Sequence, residues 1–146
     1  MAKQSLSEIN DALSAMVERL SPRNRRTLLL RLATILKGQN QKRMAAETDP
    51  EGLPWTERKN PPRKGKNKKM MAGLRKVMKA SATSTSAKVG FTGYAGKIAR
   101  VHHYGLMAAV SKGGPRIRYE MRELIGIADE DKELLEAAIL DYLSKG

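Results

Sequence analysis

Apolar residues in the first third of the chain keep helical spacing. Leu6, Ile9, Leu13, Met16, Val17 and Leu20 fall on one stripe, and Ser5 with Glu8 three residues on fits a capping box at its start. Ser21 and Pro22 end this helix and open another, because proline at the first helical position gives up no hydrogen bond. The second helix is expected from Pro22 to about Glu47, burying Leu28, Leu29, Leu32, Ile35, Leu36 and Met44. Gly38 lies inside it and leaves two readings open, one bent helix or two. Leu30 widens the stripe beyond one neighbour, which implies a second packing partner or a subunit contact. The short connection predicts an antiparallel helix pair.

Periodicity then shortens. Thr48 to Gly52 stops the helix around Pro50, and Trp55 follows, either pinning this turn to the core or anchoring an interface. A helical pattern returns from about Met70, with Leu74 and Val77 or Met78 on one side. Ser81 to Ser86 is a polar link. Lys88 to Thr92 alternates as a strand, and Gly90 marks a weak point or a bulge. Tyr94 to Tyr104 reads as a short helix, with Ile98, Val101 and Tyr104 on one side and Gly105 as its C-cap. Met107 to Pro115 reads as a loop. Arg116 to Met121 alternates again, with Ile117, Tyr119 and Met121 on one face. Asp129 is expected to cap a final helix that buries Leu134, Leu135, Ala138, Ile139 and Tyr142 or Leu143. The expected class is α+β: an N-terminal antiparallel helix pair, a short mixed or antiparallel sheet and a C-terminal helix. The long gap between the two strands argues against their forming a simple hairpin.

At 146 residues the chain suits one domain, residues 1–146. With six aromatic residues the core has to be built from Leu, Ile, Val, Met and Ala. There is no cysteine, so disulfides and thiolate metal sites are excluded. No apolar run approaches a membrane span, and the start is polar rather than a leader, so the expected place is the cytoplasm.

The net charge of +13 changes the picture through its distribution. Residues 1–57 carry nine basic and seven acidic side chains, 58–79 ten basic and none acidic, 80–127 seven and two, and 128–146 two and six. Within this span, residues 57–69 contain Arg58, Lys59, Arg63, Lys64, Lys66, Lys68 and Lys69 among two prolines and a glycine. Such a window buries too little apolar surface to order itself and is expected to be a flexible basic loop. Its cations point to contact with DNA phosphates or with an acidic protein.

Catalysis finds little support. His102 and His103 are adjacent and point about 100° apart on a helix, which does not suit a shared metal. Lys112 to Pro115 is glycine-rich but lacks the spacing of a nucleotide loop. The expectation is no enzyme and no cofactor.

Three stretches carry a resemblance: Phe91 to Gly93, Ile98 to Leu106 with His102, His103, Tyr104 and Gly105, and Tyr119 to Gly126 with Arg122. In this order they resemble the tail completion proteins of contractile-tailed bacteriophages, the phage virion morphogenesis family. The likeness extends along nearly the whole chain, through Ser21-Pro22 and Thr48 to Trp55. It implies a structural protein of the virion tail, made in the host cytoplasm and forming a homo-oligomeric ring of six copies. The ring would sit at the head-proximal end of the tail tube, against tube and head–tail connector proteins, with genomic DNA in its lumen. It also implies that His103, Tyr104, Gly105, Arg122 and Gly126 form a recurrent structural motif. The runner-up is a basic protein that binds nucleic acid without sequence preference.

Overall fold

The structure is a computed structural model that describes residues 11–59 and 69–145. Among the described residues it is α+β, with five helices and two small antiparallel hairpins. Helix α1 covers 11–18, and the cap predicted at Ser5 and Glu8 lies outside the described residues. Helix α2 spans Pro22–Ala45 as one unbroken element that passes through Gly38. Ser21 starts it by accepting the Asn24 amide through its hydroxyl at 3.2 Å.

The end of α2 is a Schellman turn. Thr48 N–H donates to Arg43 C=O and Glu47 N–H to Met44 C=O, both at 3.0 Å. The left-handed position is Glu47, at φ +59°, where glycine is the usual occupant. A glycine would relieve strain of about 1 kcal/mol here, but it would lose the carboxylate that accepts the Met70 amide at 3.4 Å.

Helix α3 (Ala72–Val77) leads into strands β1 (Lys79–Ala82) and β2 (Ala87–Gly90), which pair antiparallel. Two residues of the expected polar link, Ser81 and Ala82, thus belong to β1, and the other four make the hairpin turn. Thr83 explains it: its hydroxyl accepts the amides of Thr85 and Ser86 at 3.2 and 3.1 Å, which closes the turn locally. Helix α4 (Gly93–Tyr104) ends at Gly105, at φ +63°. Strands β3 (Met107–Ala109) and β4 (Arg116–Arg118) form the second hairpin. The start of the expected loop is therefore a strand, paired to the strand after it. The two predicted strands, near 90 and 117, do not pair with each other, because each has found a partner nearer in sequence. Helix α5 (Asp129–Lys145) runs antiparallel to α2, with Tyr142 beside Asn24 and Asp131 beside Arg43. Its first turn closes on the Ala128 carbonyl, so Ala128 and not Asp129 is the cap residue.

The core gathers Met44, Trp55, Met70, Leu74, Met78, Ala99 and Leu124, with Phe91, Ile98 and Ile125 packed against it. Three of its seven buried members are methionines, whose unbranched chains fill the irregular space between short elements. Of Val77 and Met78 it is Met78 that is buried, and Leu30 is exposed, while several predicted inward positions, Tyr104, Ile117, Met121 and Leu134, face solvent. On α2 the inward face narrows toward small and polar side chains, with Leu28, Ala33, Asn40, Arg43 and Met44 buried.

Gly105 gives a sharp test of α4 placement. A β-carbon there would stand 3.0 Å from the Met121 backbone nitrogen, in a backbone conformation that L-residues avoid. Gly105→Ala is expected to lower stability by about 1–3 kcal/mol, read as a lower urea midpoint at unchanged slope.

Candidate functional site

Between β4 and α5 the chain runs without regular secondary structure over residues 119–128, and this strap draws the distant parts of the molecule together. The N–H groups of Arg122, Leu124 and Gly126 donate in turn to His102 C=O (2.8 Å), His103 Nδ1 (3.1 Å) and Asn40 Oδ1 (3.0 Å). Glu123 C=O accepts the indole N–H of Trp55 at 3.1 Å. Trp55 itself is 6% exposed and sits in the core. Arg122 is buried, and its Nε and Nη2 donate to Thr56 C=O at 3.0 and 2.9 Å. Gly126 has no room for a side chain, since a β-carbon would fall 2.4 Å from Pro50 Cγ.

Four of the five residues carried by the resemblance therefore act on this strap or at its edge: His103, Gly105, Arg122 and Gly126. Tyr104 is exposed and meets the His103 ring edge-on, with centroids 4.7 Å apart. His102 and His103 are both half-buried. Burial, and then the Arg122 charge, lower the His102 pKa, so its ring is neutral at pH 7.

The strap ends in a buried polar knot. Asp131 and Asn40 are fully buried and Arg43 nearly so. The Arg43 guanidinium meets Asp131 in a fork, Nη1 to Oδ1 at 2.9 Å and Nη2 to Oδ2 at 2.7 Å. Nη2 also donates to Asn40 Oδ1, and Asp131 accepts further from the Ala128 amide (2.9 Å) and the Gln39 amide (3.3 Å). Burial alone would raise the Asp131 pKa. The hydrogen bonds from Arg43, Ala128 and Gln39 and the Arg43 charge outweigh it and hold the carboxyl below its ordinary range.

Of the cationic candidates, Arg58, Lys59 and Lys69 lie among the described residues, and Arg63, Lys64, Lys66 and Lys68 lie outside them. Arg58 and Lys69 line one cavity of about 310 Å³ with Met70, Met71 and Arg122, so both ends of the cationic segment meet beside the strap. Arg122 holds one end through Thr56 and Glu57, and Glu47 holds the other through Met70.

Sequence reasoning missed the knot and the cations of the second hairpin, Lys112, Arg116 and Arg118. A signal for the knot existed: Asn40 and Arg43 follow Ala33 at spacings of seven and three, on the buried stripe of α2. Among the described residues no three metal-ligating side chains gather, and no helix is long and apolar enough to cross a membrane.

With this geometry in hand, two comparisons place the chain among known proteins. The phage virion morphogenesis family matches residues 4–144. Tail completion protein S of Escherichia phage P2 is 34% identical over 142 residues, covering 92% of this chain and 95% of the relative. No solved structure matches.

Proposed function

This chain belongs to the phage virion morphogenesis family, and on that premise we propose that it completes a phage tail at its head-proximal end so that a filled head can join. The observation that carries this reading is the likeness to a tail completion protein along nearly the full length of both chains. The mechanism is assembly by fitted surfaces. Copies associate into a ring, six in number, on the end of the tail tube, and the ring stops further tube growth. Open strand edges and exposed apolar side chains, a hazard on a lone subunit, become buried between neighbours when the ring closes.

What supports a fitted part over a catalyst is where the polar residues are used. Arg43 and Asp131 spend their hydrogen bonds on each other, on the Asn40 and Gln39 side chains and on backbone, and Arg122 and His103 spend theirs on backbone. The cationic span beside the strap faces either the DNA passing through the lumen or the acidic end of a neighbouring tail protein. The test is electron microscopy of tails made without this protein. Tails of irregular length, or finished tails without heads, are the expected result, and normal-length tails that join heads would overturn the reading. Tight, steeply salt-dependent binding to random duplex DNA with no affinity for tail tubes would replace it with a nucleic-acid-binding role.

A further inference from the structure

We propose that the β3–β4 hairpin of one copy docks into an acidic recess at the start of α5 on the next copy, as the repeating contact of the ring. The inference rests on the ring reading above and names the two surfaces that make it.

The hairpin carries uncompensated charge around an apolar centre. Arg116 and Arg118 project from one face of β4, Lys112 lies in the turn, and all three are exposed. Among the described residues none of them takes part in a salt bridge, since the arginines reach only the backbone carbonyls of Met107 and Gly105, at 3.5 and 3.4 Å. Met107, the cross-strand partner of Arg118 and so on the same face, is 47% exposed. A two-stranded ribbon with both faces wet is marginal on its own, so a partner that covers it stabilises it.

The recess has the opposite character. It holds about 360 Å³ and is lined by Pro50, Glu51, Gly52, Ile127, Asp129 and Glu130. Ile127 is 56% exposed, and Leu53 in the same turn 63%. Its acids are poorly compensated. Glu51 is in no salt bridge among the described residues, Asp129 meets only Lys132 at 3.7 Å, and Glu130 only Arg43 at 3.6 Å. An apolar centre with a cationic rim thus exists on one part of the chain, and an apolar centre with an anionic rim on another.

The two surfaces do not belong to one intramolecular contact. No salt bridge among the described residues joins Lys112, Arg116 or Arg118 to Glu51, Asp129 or Glu130. Pairing between copies is therefore head-to-tail, and such a contact closes into a ring or runs on as a filament. In a chain with net charge of +13, contact between copies is repulsive except where local signs oppose. The recess provides that place.

The test uses the full chain and two charge reversals, Arg116→Glu with Arg118→Glu, and Glu51→Lys with Asp129→Lys. Each pair alone is expected to weaken self-association in low salt by about tenfold or more, measured by sedimentation equilibrium, with far-UV circular dichroism unchanged. Mixing the two variants should restore association, because each reversed hairpin then meets a reversed recess and each native hairpin a native one. A misfolded variant would not be rescued by mixing. The proposal is overturned if the wild type fails to self-associate, if either reversal leaves association unchanged, or if the mixture stays as weak as its parts. Any of these results, together with tails that still complete and join heads, would leave the tail reading standing and remove only this contact.

Discussion

Asp131→Ala is expected to destabilise the protein by about 3–5 kcal/mol, because the change strands the Arg43 guanidinium in the interior without its counter-charge. Arg43 has almost no solvent access, and its remaining partners are Asn40 Oδ1 and the Gly126 carbonyl at 3.3 Å, both uncharged, and the Glu130 carboxylate at 3.6 Å, which is too exposed to replace a buried counter-charge. Replacing both members by apolar residues of similar volume, Arg43→Met with Asp131→Leu, is expected to cost much less than either single change, since no buried charge is then left unpaired. Equilibrium urea unfolding of the three variants checks both statements, with the single variants shifting the midpoint far more than the pair.

The same knot sets an acid dependence. The Asp131 pKa is depressed in the folded state, so the unfolded chain binds the proton more tightly. Its contribution is full above the unfolded value, near pH 4, and is lost as pH falls through the folded value. Stability measured downward from pH 4 should therefore fall less steeply in Asp131→Asn than in the wild type. An equal slope would show that Asp131 is not held in its charged form.

The second large effect is at Trp55. Trp55→Ala is expected to cost about 3–5 kcal/mol, by removing the largest side chain from a core that otherwise consists of methionines, leucines and an alanine. Trp55→Phe keeps most of the packing but leaves the Glu123 carbonyl without its donor, for an expected loss of about 1–3 kcal/mol. As this is the chain's one tryptophan, circular dichroism rather than fluorescence follows the unfolding. A Trp55→Ala variant as stable as the wild type would show that the strap is held without it.

The long periodic elements were legible before the structure. Ser21-Pro22, the α2 stripe, Gly105 as C-cap and the acidic start of α5 all left local signals, because caps and helical faces are decided by residues a few positions apart. The short strands were harder. Met107 to Ala109 holds one weak strand former at most, and it is a strand because Arg116 to Arg118 pairs with it. Leu134 and Met121 fit their stripes yet face solvent, since periodicity gives a face but not what covers it. Arg43 and Asp131 were invisible as a pair: 88 positions separate them, and nothing local ties one to the other. The role of the strap was likewise hidden, although its glycine and arginine stood out through resemblance.

The strap also imposes an order of events during synthesis. Its partners on α2 precede it by more than eighty positions, 86 for Asn40 with Gly126 and 83 for Arg43 with Gly126, and α5 adds a span of 92 from Gln39 to Asp131. Closing such wide loops is slow, and it cannot begin until the strap and α5 have left the ribosome. Until then Arg43 keeps its water, Trp55 has no carbonyl to hold its indole, and the early helices lack the piece that locks them. The newborn subunit thus gains its finished shape only after α5 has been made, when that helix arrives as a keystone.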